Sequence, residues 1–401
     1  MMNPTGKSDK RILIWGFEDC TGHCMSAVFE GLEAKGYTCA GFVSTDRSHC
    51  GRLIIPDGIF LVYHTSKLGN ARFDDIVVTS SWKNYQEVRK QLINEYSIPS
   101  DTIHFFTWLV TEPSEDPEPL SIKRKVFDCF PFLNEFDVLK LRLELLDPVV
   151  DYFVVSELEL THQWTEKPLY FKENRSLFEK YAHKIVYICP PQKDYPAKYE
   201  ATTDHPLKWG DGLDWSLENY QRNNILLGLT GKASSEDLIL VSDVDEIPDP
   251  VAVKNLLTNP EQLNRTGVTF DQIHYCYSFN WRRQKNWTGT YAVLYRNIRT
   301  PQKWRDLIYT HLLPTISNGG WHISYFGGAG QVKYKINSMV DGENYFGVGQ
   351  NMTLDVISDR IKNGEEVFLR ETDRNLIPLD ESPSGMPDTD RIRRDYPQFF
   401  A

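Results

Sequence analysis

Between residues 111 and 120 the chain carries three prolines (Pro113, Pro117, Pro119) and four acids (Glu112, Glu115, Asp116, Glu118). Such a segment can neither continue a helix nor sit inside a sheet, because proline fixes φ and donates no backbone hydrogen bond. It reads as a linker over 111–121. It divides the 401 residues into blocks 1–110 and 122–401, and each block must bury a core of its own. Hydrophobic residues make up 41% and aromatic residues 13% of the chain, enough for two cores and too much for a disordered or low-complexity protein.

Both blocks alternate short apolar runs with helical periodicity. In the first, strand patterns at 11–15, 38–43, 75–79 and 103–106 are separated by helical patterns at 26–35 and 85–96. Strands alternating with helices predict an α/β fold, a parallel sheet covered by helices. This block looks Rossmann-like, and Asp46 lies where a ribose-binding acid could sit. The loop from Gly16 to Gly22, however, lacks the close glycine pair that a dinucleotide pyrophosphate requires. The block therefore reads as a structural or regulatory domain before it reads as a cofactor-binding one. The second block repeats the alternation, with strands at 125–130, 152–157, 184–188 and 237–243 and helices at 137–146 and 215–229. Ligands of such sheets gather beyond the carboxyl ends of the strands.

A net charge of −11 argues against nucleic acid or an anionic membrane surface as a partner. An anionic substrate would need a local device, a metal ion or a few arginines, to hold it. The polar amino terminus has no signal-peptide core, and no stretch reaches the ~20 apolar residues of a membrane helix. The expectation is a soluble cytoplasmic protein without a membrane-spanning segment. Seven cysteines (20, 24, 39, 50, 129, 189, 276) fit no zinc spacing and read as structural or incidental thiols.

The strongest chemical signal follows the apolar run 238–241. Asp243 and Asp245, then Glu246-Ile247-Pro248, place three carboxylates within four residues at a strand end. Residues two apart on an extended chain face the same way, so Asp243 and Asp245 could share one ion. Oxygen donors of this kind suit Mn²⁺ or Mg²⁺ bridged to a diphosphate. A bare pair of aspartates is also compatible with an ordinary acidic turn; the buried strand before it and the α/β setting favour the metal.

The segment Ser242-Asp243-Val244-Asp245-Glu246-Ile247-Pro248 resembles the acidic signature of glycosyltransferase family 17, the bisecting N-acetylglucosaminyltransferases. Four further blocks resemble that family in the same order. They are Val126 to Glu135, residues 153–170, Glu218-Asn219-Tyr220-Gln221-Arg222-Asn223, and Gly319-Gly320-Trp321-His322-Ile323-Ser324-Tyr325-Phe326. The resemblance spans about 124–370 and leaves the first block aside. It implies a GT-A type glycosyltransferase domain after the Rossmann-like one, a UDP-sugar donor (UDP-N-acetylglucosamine), a glycan acceptor and an inverting, metal-dependent transfer. Asp243, Asp245 and His322 would bind the metal, although His322 could equally be a buried core histidine. Phe130, Pro131, Glu157, Arg222 and Asp243 would bind the donor, with a helical salt bridge to Glu218 as the alternative for Arg222 and plain packing or a solvated strand end as the alternatives for the others. Tyr277, Trp281 and Trp287 would offer the acceptor the aromatic faces that sugars pack on, or they are core strand residues. Glu343 is the expected base, with Asp341 and then Glu246 behind it. The competing readings are a non-catalytic nucleotide-sugar or glycan-binding protein on the same scaffold and a nucleotide-cofactor enzyme built on the first block.

Overall fold

A computed structural model describes residues 10–17, 22–55, 58–109, 123–198, 213–258, 263, 266–298, 300–308, 311–342, 352–369, 375–378 and 389–400. The expected linker at 111–121 and Glu343 lie outside the described residues. Two compact units emerge. One is Met1–Glu118 with Glu261–Val268 and Asp306–Pro314; the other is Pro119–Pro260 with Thr269–Arg305 and Thr315–Ala401.

The first unit is built on a six-stranded sheet of β1 (Arg11–Trp15), β2 (Thr38–Ser44), β3 (Gly51–Ile55), β4 (Gly58–His64), β5 (Asp75–Val78) and β6 (Ile103–Phe105), in the order β3-β4-β2-β1-β5-β6. All neighbours are parallel except β3, which runs antiparallel along β4. The apolar centre of β1 explains its place in the middle: Ile12, Leu13 and Ile14 are wholly buried, as a strand covered on both faces requires. Helices α1 (Gly22–Lys35) and α2 (Trp82–Asn94) provide the connections, and Ser81 caps α2 by accepting from the Asn84 N–H. The sequence pattern gives β1, β2, β5 and β6 and omits the β3–β4 hairpin. Asp46, which lies where a ribose-binding acid could sit, caps its own short turn by accepting from the Ser48 N–H at 2.8 Å.

The remaining elements are β7 (Val126–Pro131), α3 (Phe136–Leu146), β8 (Tyr152–Ser156), α4 (Tyr170–Glu173), β9 (Ile185–Ile188), α5 (Ser216–Asn223), α6 (Ile225–Leu229), β10 (Leu238–Val241), β11 (Glu246–Pro248), α7 (Pro250–Thr258), β12 (Val268–Cys276), β13 (Ser278–Arg282), β14 (Tyr291–Leu294), α8 (Pro301–Ile308), β15 (Thr315–Ser324), α9 (Gly328–Ile336), α10 (Leu354–Asn363), β16 (Ile377–Pro378) and α11 (Thr389–Asp395). Their sheet runs β11-β15-β12-β14-β10-β7-β8-β9, and β13 branches from β12 and pairs with β16. The stretch β9-β8-β7-β10 is parallel, and β14 pairs antiparallel with β10. The chain lays β8 and β9 on one side of β7 and β10 on the other. In open α/β sheets ligands gather at such a reversal, which here falls at the carboxyl ends of β7 and β10. Gly228 on α6 shows how closely a helix covers this sheet: a Cβ there would fall 2.5 Å from Val154 Cγ1. The fold is thus mixed α/β, with parallel and antiparallel pairs in one sheet. Among the described residues no helix is long and apolar enough to cross a membrane.

Candidate active site

β10 is four apolar residues, all buried, and polar chemistry begins where it ends. Residues 242–245 do not continue as an extended strand; they curl around Arg142 from α3 before β11 begins at Glu246. This guanidinium is fully buried. It makes a two-pronged pair with Asp128 of β7, at 2.8 and 2.6 Å, and donates to Ser242 Oγ at 2.6 Å. It also donates to the carbonyls of Asp243, Val244 and Glu246 at 3.0, 3.1 and 2.9 Å. The Phe130 ring lies 4.5 Å beneath it. A buried arginine with every donor engaged fixes the loop's shape, whereas an unpaired one would be very costly.

The curl sends the two aspartates to different partners. Asp243 accepts from Arg222 Nη2 at 2.8 Å and Arg305 Nη2 at 3.0 Å, and its side chain is 35% exposed. Burial raises its pKa, and the Arg305 and Arg222 charges more than offset that, leaving the carboxyl well below the usual range. Asp245 is buried and accepts from Lys335 Nζ at 2.6 Å, while its Oδ1 faces His322 Nε2 at 3.6 Å. Burial again opposes ionisation, and Lys335 followed by His322 outweighs it. Glu246 is spoken for entirely. Oε1 takes Trp287 Nε1 at 2.6 Å and Arg305 Nη2 at 2.7 Å; Oε2 takes the Asp243 N–H at 2.9 Å and Arg305 Nη1 at 2.7 Å. With four donors and 1% exposure it braces the loop.

Arg222 makes the helical salt bridge that its spacing to Glu218 predicts and meets the acidic loop as well. It keeps the helical contact to Glu218 Oε1 at 3.2 Å and reaches Asp243, while Gln302 Oε1 takes a further bond. Glu218 in turn faces His162 Nδ1 at 3.5 Å. Burial pushes the Glu218 carboxyl up, and His162 and Arg222 pull it down to about 2. The Trp287 ring stands 5.0 Å from His322, which stacks on His274 at 4.2 Å.

Of the residues singled out from sequence, the structure therefore gathers Arg222, Asp243, Asp245, Trp287 and His322, with Phe130 behind them as packing for Arg142; Pro131 stands half-buried at the end of β7. The contacts of Glu157, Tyr277 and Trp281 lie elsewhere. Glu157 is wholly buried and accepts from the Phe171 and Lys172 N–H groups and the Tyr187 hydroxyl, with Lys167 3.6 Å away. Tyr277 is core, its hydroxyl donating to the Glu365 carbonyl. Trp281 packs over Gly364, where a Cβ would fall 2.3 Å from the ring. Asp341 is half-buried, and the carbonyl before it, that of Val340, accepts from Gln163 Nε2 at 2.9 Å. Arg142, Arg305 and Lys335 were absent from the sequence reading. Lone basic residues on helices look like solvated surface, and only their approach to the acidic loop reveals them.

Among the described residues no group of three or more His, Cys, Asp or Glu is gathered as a metal cage. Asp245 Oδ1 and His322 Nε2, facing one another, nevertheless offer an oxygen and a nitrogen to one ion. His322 Nδ1 is buried with no hydrogen-bond partner, so that ring has polar capacity to spare. Mn²⁺ and Mg²⁺ commonly take one or two protein ligands and complete their shell with substrate phosphates and water, and two donors fit that pattern.

The description "Glycosyltransferase family 17" belongs to a family model that matches residues 103–369, more than half of the chain. The beta-1,4-mannosyl-glycoprotein 4-beta-N-acetylglucosaminyltransferases of Rattus norvegicus and Homo sapiens are each 28% identical over 135 residues, and that of Mus musculus 27%. These alignments cover 32% of this chain and 23% of each relative, so the chain spans about a quarter of the length of the relatives it matches. The ordered acidic loop, the Arg222 helix and the His322 strand all fall within the matched residues, and the chain belongs to glycosyltransferase family 17.

Proposed function

We propose that this protein transfers a sugar from a nucleotide-sugar donor to a glycan hydroxyl, with the donor's diphosphate at the loop Asp243-Val244-Asp245 and a divalent ion, Mn²⁺ or Mg²⁺, held there by Asp245 and His322. The observation that carries this reading is the position of that loop. It leaves β10 at the point where strand order reverses, and Arg142 holds it so that Asp245 meets His322. The strand order supports a GT-A type assignment for 122–401, and the order β4-β2-β1-β5-β6 supports a Rossmann-like one for 1–110. The donor is taken to be UDP-N-acetylglucosamine because the relatives are named as N-acetylglucosaminyltransferases.

Mechanistically, the bound ion would neutralise charge building on the leaving diphosphate. Arg222 and Arg305 fix Asp243, the most open carboxylate of the loop, where it can accept hydrogen bonds from donor hydroxyls. Trp287, tied to Glu246, offers an apolar face beside His322. Inversion takes one displacement: the acceptor oxygen bonds to the sugar's anomeric carbon, the bond to the diphosphate breaks, and the acceptor proton passes to a base. Asp341 is the base candidate among the described residues, and Glu343, two residues on, is the other.

The test is a panel of nucleotide sugars with Mn²⁺ and a set of glycan acceptors, read as thermal stabilisation and nucleoside-diphosphate release. Acceptor-dependent UDP release with UDP-N-acetylglucosamine is the expected result. Stabilisation with every acceptor but no release would mean that the chain binds donors without transferring them. No metal-dependent response to any nucleotide sugar would sink the reading.

A further inference from the structure

The acidic loop is balanced by the protein's own cations before any metal arrives. Asp243 faces two guanidinium groups and Asp245 faces an ammonium. The ammonium is the informative one. Lys335, in the last turn of α9, places Nζ 2.6 Å from Asp245 Oδ2 and 3.2 Å from Glu135 Oε1, with its side chain 16% exposed. It therefore occupies the carboxylate that also faces His322. A divalent ion at Asp245 and a lysine bonded to the same carboxylate repel each other in a poorly solvated crevice. Glu135 gives the lysine a second resting place on the β7 side, and the residue beside it is anchored: Asn134 exchanges hydrogen bonds with Gln331, also of α9. An ammonium on a four-carbon stem can change partners, which the planar, more rigidly held guanidinium groups of Arg142 and Arg305 do less easily.

We propose that Lys335 is a resident counter-cation of Asp245 which yields that carboxylate to the divalent ion and then ligates the donor's diphosphate, with Glu135 keeping it at the site. This rests on the donor-site reading above. A lysine acts on phosphate as a compact point charge, so the exchange needs no new backbone geometry.

The test compares wild type with Lys335→Met, and with Lys335→Gln as a polar variant in case the apolar one does not fold. Mn²⁺ binding without nucleotide is followed by the electron paramagnetic resonance signal of free Mn²⁺, and UDP binding at saturating Mn²⁺ by calorimetry. Two shifts of opposite sign are expected: Mn²⁺ alone binds about tenfold tighter in the variants, because a competing like charge is gone, and UDP binds about tenfold weaker, because a phosphate ligand is gone. A lysine that only buttresses the fold would loosen both. Mn²⁺ affinity that is unchanged or reduced, or UDP affinity that is unchanged, overturns the inference. If wild type itself takes up neither Mn²⁺ nor UDP, the donor-site reading has failed and this one falls with it.

Discussion

Asp243 and Asp245 are two residues apart, and on an extended chain their carboxylates would point together. Here they have different partners, Arg222 and Arg305 for Asp243 and Lys335 for Asp245, while Arg142 holds the carbonyls of Asp243, Val244 and Glu246. The sequence made the acids conspicuous but hid the arginine that aims them, 101 residues away from Asp243. Two consequences belong to single residues. Glu246→Gln removes the carboxylate that meets Arg305 through two nitrogens and leaves that guanidinium its 3.0 Å contact to Asp243, so a loss of about 1–3 kcal/mol is expected in urea denaturation at pH 7. Glu218 gives a pH signature. Its folded-state pKa of about 2 lies below the ordinary 4.5, so its contribution is complete above pH 4.5 and disappears as pH falls toward 2. The destabilisation caused by Glu218→Gln is accordingly expected to be on the order of 3 kcal/mol at pH 7 and to shrink through that window. A difference that stays constant from pH 6 to 2 would contradict it.

At the level of elements, apolar runs were a faithful guide where strands are buried on both faces, as in β1, β7, β8 and β10. They failed for β11, whose three residues carry a glutamate and end in proline. Its pairing depends on β15: Glu246 lies opposite His322 and Pro248 opposite Gly320. Gly320 has φ +129°, and a Cβ there would fall 2.1 Å from the Ile247 carbonyl oxygen. Gly320→Ala should therefore cost at least ~2 kcal/mol and weaken donor binding as well, since the same register sets His322 against the loop. Wild-type stability in that variant, measured by denaturant midpoint, would show that the pairing is not needed. The β3–β4 hairpin does carry a signal in the sequence, since Pro56-Asp57-Gly58 between two apolar runs favours a turn. The run from Tyr275 to Trp281 leaves two readings open in the sequence. Aromatic residues on a strand look alike whether they face a sugar or a core, and Tyr277 faces a core.

Across the whole molecule, the linker at 111–121 suggested one break, whereas the first unit also takes in Glu261–Val268 and Asp306–Pro314. Local patterns cannot report such returns, because each segment is too short to carry a period of its own. A chain lacking residues 1–118 strands those two segments, so it is expected to melt less cooperatively and at lower temperature than the full chain; an unchanged calorimetric melt would show the first unit to be dispensable. In the other unit, Asp245 and His322 are proposed to hold the donor through a divalent ion. The most direct test is a calorimetric titration of UDP-N-acetylglucosamine into the full chain with Mn²⁺, after chelation with EDTA, and in Asp245→Asn. Binding that requires Mn²⁺ and weakens at least about a hundredfold in the variant is predicted, as for loss of one charged ligand of an ion-bridged site. Equal affinity in all three titrations would contradict it.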